Sequence, residues 1–132
     1  MKAIGLDTCI VLRLLVGEPE EQAASALKFV EDSHYGGVSL CVSDMVVGEV
    51  YHALIYHYDV PKLEAIHSLR DFLYSPMITT TGHALSVLTT YKGKGVGLVD
   101  QLIRMDFLNF VYEIVTFDRN FARLPNVRRL SR

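Results

Sequence analysis

Four acids, Asp7, Glu49, Asp100 and Asp118, occupy positions where carboxylates do chemistry. Asp7 stops the apolar run Ala3-Ile4-Gly5-Leu6, and Asp118 follows the strand-like Glu113-Ile114-Val115-Thr116. Asp100 falls in the first turn of an apolar helix, and Glu49 lies on the helix after another strand-like run. Each has a local explanation: Asp7 or Thr8 would cap the helix that follows, and the positive end of a helix dipole accommodates Asp100. Jointly they ask for more, because βα ordering brings strand ends and helix starts to one side of a sheet. Carboxylates gathered there repel one another unless a cation sits between them. Hard oxygen ligands with few histidines suit Mg²⁺ or Mn²⁺, which retain waters and bridge carboxylates to phosphate oxygens.

The elements that must position these acids read off in chain order. Residues 3–6 predict a buried parallel strand that delivers Asp7 at its C-terminal edge, followed by a helix over 9–16. Gly17-Glu18-Pro19 closes that helix and opens another over 20–32, with Ala23, Ala26, Leu27 and Val30 as its apolar stripe. A strand over 38–42 leads through Ser43-Asp44 into a helix over 44–58, buried through Val46, Val47, Val50, Ala53 and Leu54. Glu49 borders that stripe, in line with Met45, His52 and Tyr56. Pro61 opens a helix to residue 74 with Leu63, Ile66, Leu69 and Leu73 inward. A strand over 77–80, a helix over 82–91, the glycine and lysine loop 92–95, and a helix over 98–110 come next. Strands over 113–116 and 127–130 complete the chain, which has no internal repeat, low-complexity tract or linker.

With 132 residues the chain fits one domain over 1–132, large enough to bury a core without staples. Half of the residues are hydrophobic and 21% are charged, an apolar surplus that suggests a subunit interface. Thirteen basic residues against fifteen acidic ones give a formal charge of -2, which argues against gripping nucleic acid by bulk charge. A polyanion would need a metal or a local basic patch. Lys92, Lys94, Arg104 and Arg119 are the candidates for holding phosphates, although Arg104, one turn after Asp100, is equally placed for an ion pair. Cys9 and Cys41 lack C-x-x-C spacing and read as small buried residues of a reduced intracellular protein. Asp7 and Arg13 interrupt any signal-peptide core, and no run is long enough to span a membrane, so the expected place is the cytoplasm.

The segments LDTCIVLRLL, VSDMVVGEVYHAL, GLVDQLI and VTFDRNFARLPNV, which together span nearly the whole chain, resemble the PIN domain nucleases, in particular the small VapC-type toxins of prokaryotes. The resemblance implies a three-layer α/β/α fold with a mostly parallel five-stranded sheet. It also implies a Mg²⁺- or Mn²⁺-dependent ribonuclease, a homodimer, and inhibition by a small antitoxin protein. The family's acidic constellation falls on Asp7, Glu49, Asp100 and Asp118. Two departures stand beside it. Many members have Asn or Ser where this chain has Cys9, and an acid where it has Gly97.

In that setting an ion held by Asp7, Asp100 and Asp118 would polarise a scissile phosphate and lower the pKa of a bound water. Glu49 would bind a second ion or orient the water, and Thr8, Ser43 and Thr116 are candidates to hydrogen-bond the acids. Two rivals remain. The E-x-x-H pairs Glu49/His52 and Glu64/His67 would bind two irons in a four-helix bundle, a reading the strand-like runs oppose. A catalytically weak PIN-fold module that binds RNA or serves as a scaffold would carry the same acids, with Cys9 and Gly97 as signs of a decaying site.

Overall fold

A computed structural model describes residues 2–131. Strands β1 (Ala3–Gly5), β2 (Ser39–Val42) and β3 (Ile78–Thr80) form a parallel sheet in the order β1-β2-β3, with Ile4 opposite Leu40 and Leu40 opposite Ile78. Strands β4 (Ile114–Thr116) and β5 (Val127–Arg129) form a second parallel ladder, Ile114 opposite Val127. Helices α1 (Thr8–Val16), α2 (Glu20–Tyr35), α3 (Asp44–Tyr56), α4 (Lys62–Tyr74), α5 (Ala84–Thr90) and α6 (Leu98–Leu108) alternate with the strands in a three-layer α/β/α architecture. All five expected strands are present, divided three and two among the described residues instead of lying in one ladder. Parallel strands joined through helices exclude the four-helix bundle, and Glu64 and His67 are exposed on α4.

The core forms where the helices' apolar stripes meet β2. Leu40 and Val42 of β2 are buried against a cluster that includes Val47 and Val50 of α3, Ile66 and Leu69 of α4, Leu88 of α5 and Leu98 of α6. Each buried Leu or Ile contributes roughly 1.5–3 kcal/mol. The α4 stripe is Ala65, Ile66, Leu69 and Leu73, while Leu63, expected inward, is 55% exposed. It sits on the first turn, beside the glycine loop, where an added Cβ on Gly93 would lie 3.5 Å from its Cδ2. The second ladder has its own small core of Ile114, Phe121 and Val127.

The expectation of a buried β1 needs correction: Ala3, Ile4 and Gly5 are all exposed, and burial begins at Leu6. The reason is topological. β1 is an edge strand, and beside it a cavity of about 580 Å³ is lined by Ile4, Cys9, Arg13, Gln22 and Phe29. Cys9 faces the same space and is exposed, not buried as its type suggested; Cys41 is half-buried. This cavity is lined by none of the four acids. Among the described residues, no helix is long and apolar enough to cross a membrane.

Candidate functional site

Asp7 follows β1 and opens α1 as its N-cap, its Oδ1 accepting the Thr8 N–H at 2.7 Å. Thr8 then turns outward from its own helix. Its hydroxyl donates to Oε1 of Glu49 at 2.7 Å, tying the start of α1 to the middle of α3 across 41 positions of sequence. Asp7, Thr8 and Glu49 are therefore one continuous neighbourhood. Ser43, by contrast, spends its hydroxyl on the N–H of Val46 as the N-cap of α3.

Asp100 reaches the site because α6 packs against α3. The two helices meet at Gly48 and Val99, where a Cβ on Gly48 would lie in ordinary contact with Val99 Cγ2 at 3.4 Å. The residues that follow the two contact positions are Glu49 and Asp100. Gly97 takes extended backbone before α6 and supplies no side-chain cap.

Asp118 is held by a hydrogen-bonded turn after β4. The Thr116 hydroxyl accepts the Asp118 N–H at 3.0 Å, and Asp118 Oδ1 accepts the Asn120 N–H at 2.9 Å. Asn120 Nδ2 in turn donates to the carbonyl of Gly95 at 3.5 Å, joining this turn to the loop before α6. Arg104 makes a second tie, its Nε donating to the Pro125 carbonyl at 2.7 Å. The expected ion pair to Asp100 is replaced by this one: Arg104 joins α6 to the segment entering β5. Arg104→Ala is expected to speed amide exchange over 114–116 by roughly five- to tenfold, the equivalent of about 1 kcal/mol. Unchanged exchange there would show that the tie holds nothing.

Asp100 lies within reach of the charge on Asp118. Burial, and then the negative charge of Asp118, holds the Asp100 carboxyl above the usual carboxylate range. Among the described residues, no basic side chain offsets that repulsion by an ion pair. Among the described residues the salt bridges are Lys28–Asp32 and Glu113–Arg128, and neither touches the four acids.

Two links among the acids are direct: Thr8 joins Asp7 to Glu49, and Asp118 acts on Asp100. Among the described residues, no three His, Cys, Asp or Glu side chains gather into a group able to hold a metal ion. A paired site remains chemically suited to Mg²⁺, which keeps several waters and takes one or two protein carboxylates together with substrate phosphates. Repelling, uncompensated carboxylates at Asp100 and Asp118 fit that donor set. Lys92, Lys94 and Arg119 are exposed.

Sequence reasoning missed Asn120, whose signal was the Asp118-Arg119-Asn120 spacing of an aspartate-centred turn. A family model for the PIN domain matches residues 4–127, and the chain belongs to that family. PIN domains are typically nucleases, and divalent metals are common among them. A search of curated proteins finds no match to the chain.

Proposed function

We propose that this protein is a divalent-metal-dependent endoribonuclease over residues 1–132, the toxin of a VapC-type toxin-antitoxin pair. It would work in the cytoplasm as a homodimer and be silenced by a small antitoxin. The observation that carries the nuclease reading is a PIN domain over residues 4–127 in which Thr8 ties Asp7 to Glu49 and Asp118 lies close enough to act on the partly buried Asp100. A cation there removes a cost that the protein leaves uncompensated. When bound, Mg²⁺ or Mn²⁺ would neutralise a scissile phosphate and make a coordinated water more acidic.

Asp100 and Asp118 would hold the ion, with Asp7 completing the set. Glu49, whose Oε1 accepts the Thr8 hydroxyl, would orient the attacking water, and Thr116 and Asn120 fix Asp118. Lys92, Lys94 and Arg119 would hold phosphates either side of the scissile one. In-line attack breaking the bond to the 3′ oxygen would leave a 5′ phosphate and a 3′ hydroxyl. Exposed apolar residues such as Met45, Phe107, Phe110 and Tyr112 supply surface for a dimer or an antitoxin. An arginine from an antitoxin would match the carboxylates bidentately and compete with the ion.

Purified protein, freed of inhibitor, is expected to cut single-stranded RNA in Mg²⁺ or Mn²⁺ and to stop in EDTA. The assay should use total RNA, so that transfer, ribosomal and messenger RNAs are all present. Intact RNA at every metal concentration would sink the nuclease reading. That no three such side chains among the described residues form a ready metal group favours a second reading, an RNA-binding module that is catalytically weak. RNA bound but never cut, with no metal-induced change in melting temperature, would establish that reading.

A further inference from the structure

A cleft of about 260 Å³ opens between α3, the start of α4 and the segment entering α6, with Asp100 in its wall. Tyr51, His52, Tyr56, Lys62 and Tyr91 are among its other lining residues, beside apolar Ile55, Leu98 and Val99. That volume lies just below the roughly 300–1,000 Å³ of sites for drug-sized molecules, which suits a single flat ring system. Tyr56 is 68% exposed, and its ring lies 4.5 Å from that of His52 at 40°, a large aromatic surface held in water. Tyr51 is only 8% exposed, and its buried hydroxyl has no hydrogen-bond partner. Tyr91 stands edge-on to it at 6.3 Å between ring centroids, its hydroxyl near enough to act on the Tyr51 phenol but without good hydrogen-bond geometry. Burial, and then the nearby Tyr91, push the Tyr51 phenol above its ordinary range, so it stays a neutral donor. Orphaned polar groups this deep are few in native proteins and call for a partner.

Positive charge borders the same cleft. Gly93 takes φ +80° and packs on α4, where an added Cβ would lie 3.3 Å from Lys62 Cδ. Lys92 and Lys94, on either side of Gly93, are thereby brought to the Lys62 edge, and all three are exposed. Aromatic faces with lysines alongside are how proteins hold single-stranded nucleic acid: bases stack on rings, and phosphates follow the charge.

We propose that this cleft takes one unstacked base of the RNA strand, stacked on Tyr56 beside the Tyr51–Tyr91 wall. The lysines hold its phosphates, and Asp100 faces the adjoining internucleotide link. The assignment rests on the ribonuclease reading and supplies its base subsite. Stacking of a base on an aromatic side chain is commonly worth roughly tenfold or more in affinity.

The test uses the full chain in EDTA and a short single-stranded oligoribonucleotide carrying 2-aminopurine, whose fluorescence falls when the base stacks. The parent should quench the probe, and Tyr56→Ala should bind roughly tenfold more weakly without quenching. Tyr56→Phe should restore both. An abasic version of the probe should bind the parent as weakly as the intact probe binds Tyr56→Ala. Equal affinity of the parent for abasic and intact probes overturns the proposal, even if the protein cuts RNA in Mg²⁺. Quenching that depends on Tyr56 in a protein that never cuts RNA supports the subsite and removes the nuclease reading instead. If Tyr56→Ala changes the sedimentation of the protein but leaves base discrimination intact, the face is a contact between copies and the proposal falls.

Discussion

Asp100→Asn is expected to abolish RNA cleavage and stabilisation by Mg²⁺, while leaving the metal-free protein slightly more stable than the parent. Asn is nearly isosteric and remains compatible with the first turn of α6, so the change removes charge and little else. Lewis-acid stabilisation of phosphate is worth several kcal/mol, and loss of a charged ligand should cost at least about a hundredfold in rate. The stability effect has the opposite sign. Burial and then Asp118 raise the folded carboxyl of Asp100 above its unfolded value. A folded state that holds its proton more tightly loses stability as pH rises from the unfolded value through the folded one, and the loss persists at neutral pH. Asn removes that titration, and the gain is on the order of 0.5 kcal/mol once solvent screening at this partly exposed site is allowed for. In the parent, an ion that binds only the folded state raises the melting temperature.

Melts of both proteins in EDTA and in excess Mg²⁺, repeated from acid to neutral pH, measure all of this. If Asp100 is no more than a favourable charge near a helix start, the variant loses that small dipole benefit and keeps the full Mg²⁺ response. An equal Mg²⁺-induced rise in both proteins would remove Asp100 from the metal site.

What the sequence disclosed followed from local rules. Asp7 and Asp118 are visible because an apolar run that ends in an acid marks a strand end, and Asp100 because an apolar helix begins around it. The turn-stabilising Thr116 was likewise within reach, two residues before the acid whose N–H it accepts. Contacts made across long separations were invisible. Arg104 stands four positions after Asp100 and invites an ion pair, yet its partner is a carbonyl 21 residues away. An apolar run such as Ala3-Ile4-Gly5 reads alike on a central strand and on an edge, since composition records burial potential and not which neighbours arrive. The aromatic cleft draws on α3, α4 and the segment before α6, and only packing places those residues together.

Gly82→Ala is expected to destabilise the fold by about 2 kcal/mol, roughly 8 °C in melting temperature, although Gly82 has no left-handed backbone to protect. The cost is steric and electrostatic. Asp44, read from sequence as part of its own helix start, projects its carboxylate to the beginning of α5, where Oδ2 accepts the His83 N–H at 3.0 Å and Oδ1 the Ala84 N–H at 2.9 Å. A helix as short as α5 depends on such a cap, because His83 provides none of its own. A Cβ on Gly82 would fall 2.5 Å from Oδ2 and 2.7 Å from Oδ1, well inside van der Waals contact. The carboxylate cannot swing aside without releasing both N–H groups. The two residues therefore act as one device, and a double-mutant cycle reports it. Asp44→Ala alone should cost about as much as Gly82→Ala, and adding Gly82→Ala to it should cost almost nothing further, since the atoms it would strike are gone. Strictly additive losses in urea melts would mean that the two positions are independent and that Asp44 does not cap α5 in solution.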